Sequence, residues 1–138
     1  MKAKAAKQIE LETGALSRKE IVAILDALPL DITFVGSRDT VRYFNRLGKR
    51  IFPRTQAVIG RKVQNCHPPK SLPKVEEILS GFRSGKRDSA EFWINMKNRL
   101  VHIRYFAVRD SKGRYLGCLE VTQDITEIKK LEGEKRLL

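Results

Sequence analysis

Cys66, His67, His102 and Cys118 are the only cysteines and histidines in the chain, so any thiolate or imidazole chemistry must start with them. Cys66 and His67 are adjacent and offer none of the spaced pairs from which a structural zinc site is built. The glycines show no phosphate-loop pattern, and no serine has a recognisable base partner. Nothing nominates a nucleophile, and the chain is not expected to be an enzyme. With only two cysteines and no apolar leader after MKAKAAKQIELETG, free thiols in a cytoplasmic protein are expected. One carboxylate stands out. Glu120 sits inside the apolar run YLGCLEVT, where a charge is costly unless it is paired or protonated.

Charge carries the second message. The 138 residues hold 28 Lys and Arg against 16 Asp and Glu, a net charge of +12. Between Val41 and Val75 there is no acid, while Arg42, Arg46, Lys49, Arg50, Arg54, Arg61, Lys62, Lys70 and Lys74 are all basic. Such a stretch attracts nucleic acid, anionic lipid, an acidic protein or an anionic small molecule, or is simply a solvated face. Only Tyr43, Phe44 and Phe52 are aromatic there, which argues against a nucleic-acid surface. The length suits one domain. No apolar run approaches the roughly 20 residues that cross a bilayer, so no membrane partner is expected.

These residues need elements to position them. Residues 1–16 read as a loose arm. Ser17-Arg18-Lys19-Glu20 is a capping box, and Ile21, Val22, Ile24, Leu25 and Leu28 continue at helical spacing until Pro29, giving a capping helix over 17–29. Residues 30–123 form the core unit: strands at 31–35 and 41–44, then a short helix capped by Asn45 with Leu47 and Ile51 on one side. A turn at 55–59 follows, then a helix over 72–83 with the stripe Leu72, Val75, Ile78, Leu79 and Phe82. Strands at about 88–97, 100–108 and 114–123 end at Asp124-Ile125-Thr126-Glu127, read as a second capping box that starts a helix over 124–138. Ile128, Leu131 and Leu138 give that helix a partial seam, interrupted by Lys135. The order predicts an α+β fold: one five-stranded antiparallel sheet with inserted short helices, an N-terminal amphipathic helix and a C-terminal helix.

Hairpin register sorts the side chains. With Asn98 and Arg99 as a two-residue loop, Met96 faces Val101, Ile94 faces Ile103 and Phe92 faces Tyr105. With 110–113 as the next loop, Tyr105 pairs with Cys118, Ile103 with Glu120 and Val101 with Thr122. One face then holds these residues, and the other holds Trp93, His102, Arg104, Phe106, Leu119 and Val121. A slip of one residue would exchange the faces and leave Glu120 an exposed strand residue.

In this order and spacing, DITFV–VRYFN, IGRKVQNC and VHIRYFAVRDSKGRYLG closing on DIT, the chain resembles a PAS domain over about residues 26–127. More narrowly, ALPLDITFV, RYFNRLGKRIFPRT, NCHPPKS and LEVTQDIT are similar to the PAS module attached to hemerythrin-like iron-binding proteins, here as a free-standing copy or an excised C-terminal piece. The resemblance implies a sensory module with a small-molecule pocket between the inner sheet face and the helices. Its lining would be Thr33, Val35, Leu47, Val63, Val75, Ile78, Leu79, Phe92, Ile94, Ile103, Tyr105, Cys118 and Glu120, or the same residues would simply fill a core.

By the same resemblance, the cysteine of flavin photoreceptors would stand three residues after Gly60, where this chain has Val63. The histidine of haem-bound oxygen sensors would fall near Lys74. Flavin is therefore disfavoured, and haem is left only Cys66 or His67 as ligand. The expected partners are a second copy, through the N-terminal helix and the outer sheet face, and a small molecule or signalling protein. Change at the pocket would then move the sheet and reorient the final helix.

Overall fold

The computed structural model describes residues 7–137. It opens on a hairpin, β1 (Gln8–Leu11) and β2 (Gly14–Ser17), where the sequence suggested a loose arm; the rest of that arm, residues 1–6, lies outside the described residues. The amphipathic helix therefore does not begin the fold. α1 (Arg18–Ala27) follows directly, held by a reciprocal capping box: Glu20 N–H donates to Ser17 Oγ at 3.1 Å, and Ser17 N–H donates to Glu20 Oε1 at 2.9 Å. No α1 side chain is fully buried.

The remaining strands form one antiparallel sheet: β3 (Asp31–Gly36), β4 (Val41–Phe44), β5 (Ser89–Met96), β6 (Arg99–Arg109) and β7 (Tyr115–Asp124), in the spatial order β4-β3-β7-β6-β5. β3 and β7, far apart in sequence, are neighbours at its centre. Between β4 and β5 run three 3-10 turns and α2 (Leu72–Ser84), which ends at Gly85 in the left-handed conformation, φ 79°. Leu79 and Phe82 of α2 press onto Val35 and Cys118 to make the core.

No helix forms after Asn45. That side chain is 1% exposed and accepts from Ile32 N–H at 2.7 Å while its amide donates to the Leu25 and Leu30 carbonyls. A side chain bonding remote backbone cannot also cap a local helix.

Both hairpin registers sit two residues from those predicted. Lys97 and Asn98, with φ of 50° and 64°, form the turn, so Met96 pairs with Arg99, Ile94 with Val101 and Phe92 with Ile103. Positive φ at both central residues is what a tight turn matching the strand twist requires. In the next hairpin Arg109 pairs with Tyr115 and Val108 with Gly117, leaving Leu116 as a bulge. A five-residue loop and the bulge each add one residue, so Tyr105 pairs with Glu120 and Ile103 with Thr122. Since side chains alternate with period two, an offset of two keeps every residue on its predicted face.

The predicted C-terminal helix is absent over the described residues, which hold only a 3-10 turn at Ile128–Lys130; Leu138 of its seam lies outside them. Asp124 ends β7, and its carboxylate accepts from both the Thr126 N–H (3.0 Å) and the Thr126 hydroxyl (2.6 Å). Thr126 Oγ1 in turn accepts from Leu100 N–H at 2.9 Å, and Ile125 N–H donates to the Leu100 carbonyl at 2.9 Å. Glu127 does not reach back; it meets Lys130 at 3.3 Å. The local Asp–Thr turn and its hold on β6 replace the helical start.

Candidate functional site

The inner sheet face is set by strand alternation, and the inserted segment and α2 lie over it. Row by row across β7, β6 and β5 it carries Thr122, Ile103 and Phe92, then Glu120, Tyr105 and Ala90. On β3, Thr33 stands beside Glu120 and Val35 beside Cys118. Val35, Leu79 and Cys118 are fully buried together with Phe82, and Val63, Val75, Ile78 and Tyr105 pack against them. At this end the face is filled rather than hollow. Toward β5 the cover runs out: Phe92 is 44% and Ile94 37% exposed on the same side as Ile103. Leu47, 57% exposed in the irregular segment after β4, is not gathered with them.

The polar groups of this face come largely from the basic stretch, turned inward. Arg54 reaches Glu120 at 3.3 Å, with side chains 19% and 12% exposed. Arg50 lies over the Phe44 ring. It donates to the Ile32, Asn45 and Phe52 carbonyls and to Thr33 Oγ1, and burial lowers its pKa. Asp31 is buried, accepts from Ile51 N–H at 2.6 Å and lies 3.7 Å from Arg46. Arg54 Nε and Thr122 Oγ1 are buried without a partner. Burial first, and then the charge of Glu120, raise the Tyr105 pKa, so that phenol stays protonated and able to donate. Tyr105 also stacks on Phe92 with ring centroids 6.1 Å apart. A chain of contacts thus runs Arg54–Glu120–Tyr105–Phe92, from charge to apolar surface.

Two grooves among the described residues lie elsewhere. One, of about 670 Å³, is bounded by Lys7, Ser17, Arg18, Lys19, Val22, Ala23 and Asp26; the other, about 400 Å³, lies at Ser80, Ser84, Lys86 and Arg87. Cys66 and His67 lie at the end of the Val63–Cys66 turn. Cys66 Sγ points to the Lys62 carbonyl at 3.7 Å, and His67 Nδ1 lies 2.9 Å from the Val63 carbonyl. Both serve the bend that leads into α2, and neither lines either groove. No three His, Cys, Asp or Glu side chains converge among the described residues.

Cys118 is 4% exposed, and burial, followed by the charges of Glu120 and Asp39, pushes its thiol up to about 12. A thiol reagent at pH 7.5 should therefore titrate half-buried Cys66 rapidly and leave Cys118 unmodified until the protein is denatured. The stability gained from a neutral buried thiol is complete below its ordinary value of 9.0 and is lost as pH rises toward about 12. Alkaline denaturation curves of Cys118→Ala should lack that component.

With this geometry in view, the family model for the PAS domain matches residues 21–126. The chain belongs to the PAS domain family. It is similar to the C-terminal domain of a protein from Streptococcus mutans, 37% identical, with 92% of this chain and 98% of that one covered and a TM-score of 0.85. It also shares the fold of the PAS domain of Bordetella pertussis BvgS (18% identity, 81% of this chain and 88% of that one, TM-score 0.56). A sensory box sensor histidine kinase from Vibrio cholerae aligns at 13% identity over 79% of this chain and 91% of that one, TM-score 0.55. No curated protein matches at comparable stringency. The sequence singles out Glu120, but nothing in it tells that Arg50 and Arg54, among so many basic residues, are the ones that turn inward beside it. No helix of the PAS domain described here is long and apolar enough to cross a membrane.

Proposed function

We propose that this PAS domain is a cytoplasmic sensory module that receives a small molecule at the β5 end of its inner face. It would pass the change along β7 to a partner protein or to a second copy docked through α1 and the outer sheet face. One observation carries the reading: Arg54 and Glu120, 66 residues apart in sequence, meet on a sheet face whose β5 side is apolar and uncovered. Convergent polar groups beside exposed apolar side chains are what a ligand site presents. Exposed Val22 and Ile24 on α1 and Trp93 on the outer face support the pairing of two copies. In its finer form the reading keeps the likeness to the module accompanying hemerythrin-like iron-binding proteins.

A second reading, a dimerisation module with no ligand, is favoured by the filled core around Phe82, which is 0% exposed. Native mass spectrometry of freshly purified protein separates the two. The sensory reading expects added small-molecule mass, lost in the doubly substituted Arg54→Gln, Glu120→Gln protein while its circular dichroism is retained. A bare mass in the unaltered protein, from cells grown in several media, would favour the ligand-free module.

A further inference from the structure

We propose that the molecule received at this face is an organic monoanion, with a carboxylate head lodged at Arg54 and an apolar body lying across Phe92 and Ile94. The proposal rests on the inner face being the ligand site and adds the class of ligand.

Charge is the first ground. Three guanidinium groups, from Arg46, Arg50 and Arg54, stand at this face against two carboxylates, Asp31 and Glu120. Arg46 lies by Asp31 at 3.7 Å and Arg54 by Glu120 at 3.3 Å. Arg50 has no carboxylate within salt-bridge distance among the described residues, and its hydrogen bonds end on uncharged oxygens. The Arg50 charge therefore has no carboxylate of its own in a half-buried setting, where low polarity strengthens its pull on any anion. A monoanion balances it, and a cation would double it.

Hydrogen bonding is the second ground. Arg54 Nε is a buried donor with no acceptor, and a nitrogen that can only donate is satisfied only by an acceptor. Glu120 meets Nη2 alone, so the Nε–H beside it lacks an acceptor, and a carboxylate that displaced Glu120 could take both as a two-pronged pair. Thr122 Oγ1, also buried and without a partner among the described residues, lies one residue pair along the same strand face and offers a hydroxyl as second donor. The apolar ground is the exposed pair Phe92 and Ile94 on β5. They lie two strand spacings from β7, roughly 10 Å, within reach of a medium alkyl chain or an aryl-alkyl body. The incoming head competes with Glu120 for Arg54, which makes Glu120 a restraint on binding.

The test is a titration of the full chain, followed by backbone amide and arginine Nε resonances, with octanoate, 4-phenylbutyrate, octanamide and octylamine. Both carboxylates should move Arg54 Nε and the amides of Phe92, Ile103 and Glu120, with octanamide and octylamine at least tenfold weaker. Arg54→Gln should weaken octanoate at least tenfold. Glu120→Gln, which removes the competing charge, should tighten it, an outcome that a merely structural role for the pair does not give. If only one of the two carboxylates binds, the class stands and its body, alkyl or aryl, is identified. Octanamide or octylamine binding these residues as tightly as octanoate overturns the class and leaves the site. Carboxylates that move only the exposed Lys49, Lys62 and Lys70 overturn it as non-specific charge pairing. If no probe moves the inner-face resonances, the site reading fails as well.

Discussion

Replacing Asn45 by alanine should cost the fold about 3 kcal/mol or more, an effect out of proportion to one surface-loop amide. The side chain is 1% exposed and satisfies three backbone groups from two separate segments: Ile32 N–H, the Leu25 carbonyl in α1 and the Leu30 carbonyl before β3. Each buried group left without a partner forfeits on the order of 1–3 kcal/mol, tempered where water can reach. Arg50 also donates to the Asn45 carbonyl and lies 3.4 Å from its Oδ1, so the loss should spread to the inner-face network. Urea titration is the check, with a lower midpoint at unchanged slope. Asn45→Asp keeps the acceptor for Ile32 and loses both amide donations. A drop below about 1 kcal/mol for the alanine variant would show that water substitutes for these bonds.

Gly117→Ala should be at least as damaging, about 3 kcal/mol, and for a different reason. Gly117 has φ 154°, and a Cβ there would strike the Val35 carbonyl oxygen and come within 2.6 Å of the Phe34 ring. The oxygen cannot yield cheaply, since it is main chain at the centre of the sheet, and the half-buried Phe34 ring would have to turn away as well. Gly113→Ala makes the comparison: its φ is 79° with nothing within 4 Å, so only backbone strain of about 1 kcal/mol remains. Thermal unfolding of the two variants should differ by many degrees. Equal losses would place the whole effect in the backbone and none in close approach.

Much of this architecture was legible because strand alternation is an integer rule. The final three strands, their order and their two faces follow from hydrophobic pattern and turn residues, and survive a misplaced loop and an unseen bulge at Leu116. The hairpin at 8–17 was missed because QIEL alternates over only four residues and its partner GALS does not alternate at all. The helix expected at Asp124 failed through a tertiary contact: Leu100, across the sheet, claims the Thr126 hydroxyl. Glu120 announced itself as a carboxylate among apolar neighbours, whereas Arg54 gave no such sign. Its partner lies 66 residues away, and nothing in a run of basic residues says which ones fold inward. Leu47 entered the lining through the resemblance alone, and the short helix expected to carry it does not form, leaving the side chain 57% exposed.

The uncovered rim at β5 bears on how the molecule behaves in crowded solution. SAEFWINM carries one charge, Glu91, and no proline, and it presents an unpaired ladder edge beside Phe92, Trp93 and Ile94. Within the strand little else stops one sheet from extending onto another, and the gatekeeping charges Lys86, Arg87, Asp88 and Lys97 stand only at its ends. What keeps neighbours apart is long-range repulsion from the surplus of +12. That repulsion fades beyond a Debye length of about 8 Å at physiological ionic strength, so colloidal stability in this protein is a property of the surrounding salt as much as of the fold.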